Sequence, residues 1–188
     1  MKTYLAWMVV LAGTLMAAGG CVGRLVGEGA EKTLGPKGAY WEETSVGSSK
    51  ALVEYTNFEL GKVANNYGRN VPREFIGLFE QEFHSALVAS KLPMDPRGKT
   101  LVFNVAVIHY ETADTTDNVL GPLEQVVARV ELVDKSSGKV LATGNAIGRT
   151  GKSVGLGVDW KARGLAKALI KWVKNHRGEQ TEQDSSEG

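Results

Sequence analysis

The feature that most constrains this chain is its single cysteine, Cys21, because one cysteine cannot form an intrachain disulfide. A chain of 188 residues without a disulfide has to hold its fold by packing apolar side chains. Hydrophobic residues make up 43% of the sequence, which is enough for one globular domain with its own core. The position of Cys21 is also informative, since it directly follows an apolar stretch at the start of the chain.

Residues 1–20 have the layout of a secretory signal. Lys2 supplies a positive start, residues 4–18 are uncharged and mostly apolar, and the small residues Gly19 and Gly20 lead directly to Cys21. This layout predicts export with cleavage before Cys21. Ordinary cleavage without a lipid and an uncleaved anchor remain as alternatives, although the stretch is shorter than the about 20 apolar residues that span a bilayer.

Residues 18–21 resemble the lipobox of bacterial lipoproteins, in which an aliphatic residue and two small residues precede the cysteine. The resemblance implies that residues 1–20 are removed as a lipoprotein signal peptide and that the thiol of Cys21 is lipidated. An aspartate after the cysteine tends to retain such proteins at the inner membrane, and Val22 stands there instead. The implied location is therefore the outer membrane, with the lipid-anchored protein on the periplasmic face.

The rest of the chain divides into three parts. Residues 21–50 are rich in glycine without a clear period, which predicts a flexible tether, interrupted by Tyr40 and Trp41. Residues 51–176 carry the periodic apolar segments and predict a single α/β domain. Residues 177–188 are polar and predict a disordered tail.

Apolar periodicity within this domain predicts four strands, at residues 51–60, 100–112, 123–133 and 140–147. A first helix is predicted between a cap at Asn70 and Lys91, and a second at residues 159–175, with Asp159 as its cap. The order strand, helix, strand, strand, strand, helix predicts a two-layer α/β sandwich. In it a four-stranded mixed sheet, with its first two strands parallel, carries both helices on one face.

Each predicted helix has one apolar face that would pack on the sheet. The first face consists of Phe75, Phe79, Phe83, Ala86 and Leu87. The second consists of Ala162, Leu165, Ala166, Leu169, Trp172 and Val173. The opposite face of the sheet would then be solvated, covered by the tether or used for contact.

Two groups of side chains are candidates for a contact surface. Basic residues opposite the apolar face of the last helix are most simply explained as a solvated helix face, and contact with lipid headgroups, lipopolysaccharide or an acidic partner is the alternative. This group is Lys161, Lys167, Lys171 and Lys174. Ile108 and Tyr110 form the second group, because strand alternation places both on the sheet face without helices.

One motif resembles a phosphate-binding loop, the AIGRTGKS sequence at residues 146–153. A true loop of this kind opens a helix, whereas VGLGVD follows here, so a glycine hinge is the favoured interpretation. Whether Arg149 and Lys152 bind an anion stays open. The sequence predicts no nucleotide and no other cofactor.

The titratable residues show no catalytic or metal-binding pattern. The three histidines, His84, His109 and His176, share no ligand spacing. The acidic group Glu111, Asp114 and Asp117 lacks the alternation and glycine of a calcium loop. Without residues 1–20 the chain has equal numbers of basic and acidic residues, which gives no support for nucleic-acid binding. We therefore predict no enzyme activity and no metal site.

Several segments together resemble a family of small uncharacterised bacterial outer-membrane lipoproteins. They are the lipobox, ALVEYTNFEL, VARVELVDKSSGKVLATGNAIGR, GKSVGLG and ARGLAKALIKWVK. More distantly, the layout is similar to the amino-terminal domain of TolB and to lipoprotein activators of penicillin-binding proteins. The resemblance implies a non-enzymatic interaction or assembly module in the periplasm, with an envelope protein as partner. The alternative is a ligand-binding or hydrolytic protein acting on glycan, lipid or nucleotide at the membrane.

Overall fold

The computed structural model describes residues 36–48, 50–68, 70–111, 124–150 and 157–178. These ranges contain five strands and two helices. In chain order the elements are β1 (Lys37–Thr44), β2 (Tyr55–Asn65), α1 (Phe75–Ala89), β3 (Lys99–Tyr110), β4 (Gln125–Asp134), β5 (Val140–Arg149) and α2 (Gly157–Asn175). Cys21 and the predicted signal lie outside the described residues.

The strands form one mixed sheet in the order β1-β5-β4-β3-β2. β2 and β3 are parallel, as the strand–helix–strand order predicts, and the other neighbours are antiparallel. Both helices pack on one side of the sheet, with α1 against β2 and α2 against β1, β5 and β4. The predicted two-layer α/β sandwich with two helices is therefore confirmed. Among the described residues, no helix combines the length and apolarity that a bilayer-spanning helix needs.

The prediction of four strands is wrong, because residues 37–44 of the predicted tether form β1. β1 pairs antiparallel with β5, from Lys37 opposite Arg149 to Thr44 opposite Thr143. Its sequence KGAYWEET contains too few apolar residues for a clear two-residue period. The strand depends instead on contacts with distant elements, such as the stacking of Tyr40 on Trp172 with ring centroids 5.3 Å apart.

Two element boundaries near the start of the domain also differ from the predicted ones. Residues 51–54 form a turn with Leu52 fully buried, and β2 then continues to Asn65 through a stretch predicted as loop. α1 begins at Phe75 after Glu74, whose side chain makes no capping hydrogen bond, so Asn70 is not the cap. Propensity gives the existence of such elements more reliably than their ends.

A hairpin turn at residues 135–139 joins β4 to β5. The carboxylate of Asp134 accepts hydrogen bonds from the hydroxyl groups of Ser136, Ser137 and Tyr55, the last at 2.8 Å. These bonds, with that of Ser136 the strongest influence, hold the pKa of Asp134 well below its ordinary value. Tyr55 begins β2, so this carboxylate joins the hairpin to the far edge of the sheet.

The core lies between the sheet and the helices, and the predicted apolar faces are the buried ones. Phe75, Phe79, Phe83 and Leu87 of α1 are buried, while Ala86 is half-buried. All six predicted apolar residues of α2 are buried. Among the described residues, one sheet and one cluster of buried apolar side chains connect all of the strands and helices.

α2 approaches the sheet closely because glycines remove side chains at the contact. A Cβ atom added to Gly148 would lie 2.1 Å from the carbonyl oxygen of Lys161, and one added to Gly38 would lie 2.2 Å from that of Gly164. Such separations are far below van der Waals contact, so only glycine fits at both positions. The start of α2 is thereby fixed against β1 and β5.

Candidate functional site

The sheet side opposite the helices, here called the open face, carries no helix within the described ranges. Alternation along the strands places several partly exposed or exposed apolar residues there, including the five named next. These five are Ala39, Trp41, Ile108, Val127 and Ile147. Trp41 is 45% exposed and Ile108 is 41% exposed. Exposed apolar residues on one surface are typical of a contact site.

A polar network lies beside these residues. The carboxylate of Glu43 accepts hydrogen bonds from the Nη1 of Arg129 at 3.1 Å and from the Nδ2 of Asn145 at 2.9 Å. The second carboxylate oxygen lies 2.7 Å from the Nη2 of Arg129, so the guanidinium contact is bidentate. Both charged side chains are partly exposed, so the pair adds little to stability and fixes their orientation instead.

Asn145 is the unusual member of this network. It is only 6% exposed, although it lies on the open face opposite Trp41 in the β1–β5 register. Its Oδ1 atom is buried and has no hydrogen-bond partner. A buried acceptor without a partner costs free energy, so the Oδ1 of Asn145 is an energetic cost of this network.

A shallow groove of about 250 Å³ continues the open face towards β2. Within it, the Oδ1 of Asn104 accepts a hydrogen bond from the backbone N–H of Lys62 at 3.1 Å. Charged and amide side chains line the groove together with two alanines. The lining includes Lys62, Ala64, Asn66, Asn104, Ala106, Arg129 and Glu131. Within the described ranges, no three His, Cys, Asp or Glu residues converge as metal ligands would.

The predicted pairing of Ile108 with Tyr110 on the open face is wrong. A register shift between Val107 and His109 inserts a bulge at Ile108. The bulge leaves Ile108 exposed but returns Tyr110 to the helix side, where it is 3% exposed. There the ring of Tyr110 meets Phe75 edge-on, with centroids 5.4 Å apart, and burial raises the pKa of its hydroxyl group.

Lys161, predicted to lie on the exposed helix face, is 1% exposed. Its Nζ lies 2.5 Å from Oε2 of Glu124 and 4.2 Å from the centroid of the Tyr110 ring, and it donates to the backbone carbonyl of Glu111. Burial lowers the pKa of Lys161, and the bond to Glu124 opposes that shift. Lys161 precedes Leu165 by four residues, so helical geometry places both on the buried side of α2.

The remaining predicted lysines do lie on the outer side of α2. Lys167 and Lys171 are exposed and Lys174 is half-buried, and we call these three residues the lysine stripe. The Nζ of Lys167 donates to the backbone carbonyl of Pro36 at 3.4 Å. Of the basic residues flanking the stripe, Arg163 forms two 2.9 Å hydrogen bonds with Glu82, and Arg177 donates to backbone carbonyls at residues 52, 53 and 55.

The other sequence candidates are dispersed. Residues 146–149 of the phosphate-loop match are part of β5, while residues 151–153, with Lys152, lie outside the described residues, as do Asp114 and Asp117. His84 is exposed. His109 lies 3.0 Å from a carboxylate oxygen of Glu111, and His176 contacts Glu42 across the helix–sheet interface. These histidines do not meet one another.

Sequence reasoning missed the polar network because its members come from β1, β4 and β5. Glu43 and Trp41 belong to the segment predicted as tether, and nothing local indicates that they face Asn145. The one available signal was the pair of aromatic residues Tyr40 and Trp41, since aromatic residues are enriched in strands.

These observations define an α/β protein with a five-stranded mixed sheet covered by two helices on one side only. No protein-family model matches the sequence, and no curated protein matches it. Solved structures with a similar fold include two of the PelC dodecamer from Paraburkholderia phytofirmans, in two crystal forms, one being a single-substitution variant. Each is 18% identical, with a TM-score of 0.50, and the match covers 72% of this chain and 96% of that chain. At this identity the likeness shows a common fold alone.

Proposed function

We propose that this protein is a lipid-anchored lipoprotein of the outer membrane that acts in the periplasm as a non-enzymatic assembly module. The observation that carries the proposal is the open face, where Trp41 and Ile108 remain exposed beside an oriented polar network. A half-apolar surface with a polar margin has the composition of a protein contact site. The sequence of residues 1–21 supports the anchor.

The first partner to test is another copy of the same chain. The related PelC structures are dodecamers, and this chain has two edge strands, β1 and β2, at opposite ends of its sheet. The β1 edge of one copy can contact the β2 edge of the next copy in a head-to-tail arrangement. Such contacts build a closed ring when the rotation between neighbouring copies divides a full turn. Self-assembly would bury exposed side chains such as Trp41 near β1.

Replacing both Trp41 and Ile108 by glutamate should weaken this assembly at least about tenfold, because large interface aromatics commonly contribute about 2 kcal/mol or more. Native mass spectrometry and co-purification of two differently tagged copies would measure the change. The matched control is Val88→Glu, which alters a 70% exposed apolar residue at the end of α1. Equal recovery of both variants, or a monomeric parent protein, would contradict the assembly proposal.

Cys21→Ser tests the anchor independently of the open face. We expect the parent protein to lack residues 1–20 and to carry acyl chains on its first residue, because two chains are needed for stable membrane attachment. The serine variant should carry none. Intact mass and extraction of membranes at alkaline pH would measure both properties, and a parent protein that begins at an unmodified Cys21 would overturn the lipoprotein assignment.

A ligand-binding protein is the second candidate function, and the groove beside Asn104 favours it. Its lining offers hydrogen-bond donors and acceptors from Lys62, Arg129 and Glu131 within a concave surface. Polar ligands such as short glycans match this chemistry better than apolar ones. Calorimetric titration with such glycans would support this candidate if Asn104→Ala abolished binding.

A further inference from the structure

The unpaired charge of α2 lies beside the point where the chain enters the described domain. We propose that the lysine stripe binds the anionic headgroups of the bilayer that holds the lipid anchor, so that the helix layer faces the membrane. This inference rests on the proposed function for the anchor, but the headgroup contact is a separate property of the folded domain.

The lysine stripe differs from the other basic residues of α2 in having no acidic partner. Within the described residues no carboxylate lies within ion-pair distance of Lys167, Lys171 or Lys174. Arg163 is neutralised by Glu82, and Lys161 by Glu124. Helical spacing of four and three residues aligns the three lysines along one side of α2, over roughly 10 Å. The stripe is therefore a continuous positive surface.

The position of Pro36 connects this surface to the anchor. The carbonyl oxygen of Pro36 lies 3.4 Å from the Nζ of Lys167, at one end of the stripe. Residues 22–35 are all that separate Pro36 from Cys21, and a chain of this length reaches at most about 50 Å when fully extended. A lipid on Cys21 would keep the stripe within about 50 Å of the headgroups, so its effective concentration there would be high and even weak attraction would bias the orientation of the domain.

Charge on the neighbouring helix limits the contact to α2. Glu80 is exposed on α1 and Glu74 is exposed directly before it, and an anionic surface would repel both. The contact therefore involves the outer side of α2 rather than the whole helix layer. Because α2 packs on the side of the sheet opposite the open face, this contact would leave the open face directed towards the periplasm, where it can meet a partner.

Vesicle binding tests the stripe without the anchor. The protein used is residues 22–188, produced with a signal that is removed without lipidation. It is mixed with vesicles of phosphatidylcholine that contain about 30% phosphatidylglycerol, which supplies an anionic surface. Attraction of about 1 kcal/mol per lysine corresponds to about fivefold in affinity, so Lys167→Gln with Lys171→Gln should weaken binding about 25-fold. The control Lys139→Gln changes an exposed lysine in the β4–β5 turn and should leave binding unchanged.

The second arm uses the intact lipidated protein on the same vesicles. Amine-reactive labelling should be slower at Lys167 and Lys171 than at Lys139, and the difference should vanish on vesicles of phosphatidylcholine alone or at high salt. Equal binding to neutral and anionic vesicles, or equal labelling of the three lysines, would overturn the proposal. It would also fail if the double variant kept its vesicle binding and lost only self-association, since the stripe would then serve a protein contact. The first arm measures binding of a protein that carries no lipid, so its result does not depend on whether Cys21 is lipidated in the parent protein.

Discussion

Lys161→Ala should lower the free energy of unfolding by about 3–5 kcal/mol, the range found when one member of a buried ion pair is removed. The substitution leaves the carboxylate of Glu124, itself only 11% exposed, without its partner. It also removes the donor to the carbonyl of Glu111 and the cation above the Tyr110 ring. These contacts join the start of α2 to the ends of β3 and β4, so their loss should loosen one whole end of the sandwich.

Urea unfolding followed by tryptophan fluorescence would measure this effect. The control Lys171→Ala removes an exposed lysine that lies more than two helical turns after Lys161 in α2. It should change the free energy of unfolding by less than about 0.5 kcal/mol. Combining Lys161→Met with Glu124→Gln should restore most of the loss, because it removes both charges and leaves an apolar chain of similar length. A loss below about 1 kcal/mol in Lys161→Ala would show that the pair is not a major source of stability.

Gly148→Val should destabilise the domain by at least about 3 kcal/mol, because overpacking here cannot be relieved by a side-chain rotation. The added Cβ would lie 2.1 Å from the carbonyl oxygen of Lys161 and 2.5 Å from the amide nitrogen of Leu165. Both are backbone atoms of α2, so the whole helix has to move away from β5. That movement would also separate Lys161 from Glu124.

The matched control for this prediction is Gly77→Ala. A Cβ atom at Gly77 in α1 meets nothing within 4 Å, and alanine favours a helix over glycine by about 1 kcal/mol. We therefore expect Gly77→Ala to raise the thermal midpoint and Gly148→Val to lower it, as measured by circular dichroism. Similar midpoints for Gly148→Val and the parent would show that α2 does not pack as closely as these distances require.

The elements that the sequence predicted correctly have strong local periods. α1 repeats phenylalanine at intervals of four residues, from Phe75 through Phe79 to Phe83, and all three are buried. The sequence DKSSGK gives the turn between β4 and β5, because Asp134 and the following serines satisfy their own backbone and side-chain hydrogen bonds. The parallel pairing of β2 and β3 follows from the helix between them.

The candidate site was predicted much less well, since its chemistry depends on distant pairings. Counting residues along β3 placed Tyr110 with Ile108, and the bulge at Ile108 reversed the side of Tyr110. The positive charge of Lys161 suggested solvent, although its spacing from Leu165 placed it on the buried side. A carboxylate from before β4, Glu124, makes that burial possible, and no local pattern could supply it.

The amino-acid sequence by itself determined the two helices with their buried faces, the central strands and the parallel pair, because backbone periodicity and turn chemistry act over a few residues. Only the tertiary structure decided that Lys37–Thr44 forms a fifth strand, that Lys161 is buried, and that Trp41, Glu43, Arg129 and Asn145 share one surface. The physical reason is that each of these outcomes depends on a contact between residues far apart in the chain. Such contacts exist only after the sheet has assembled and α2 has packed against the glycines of β1 and β5.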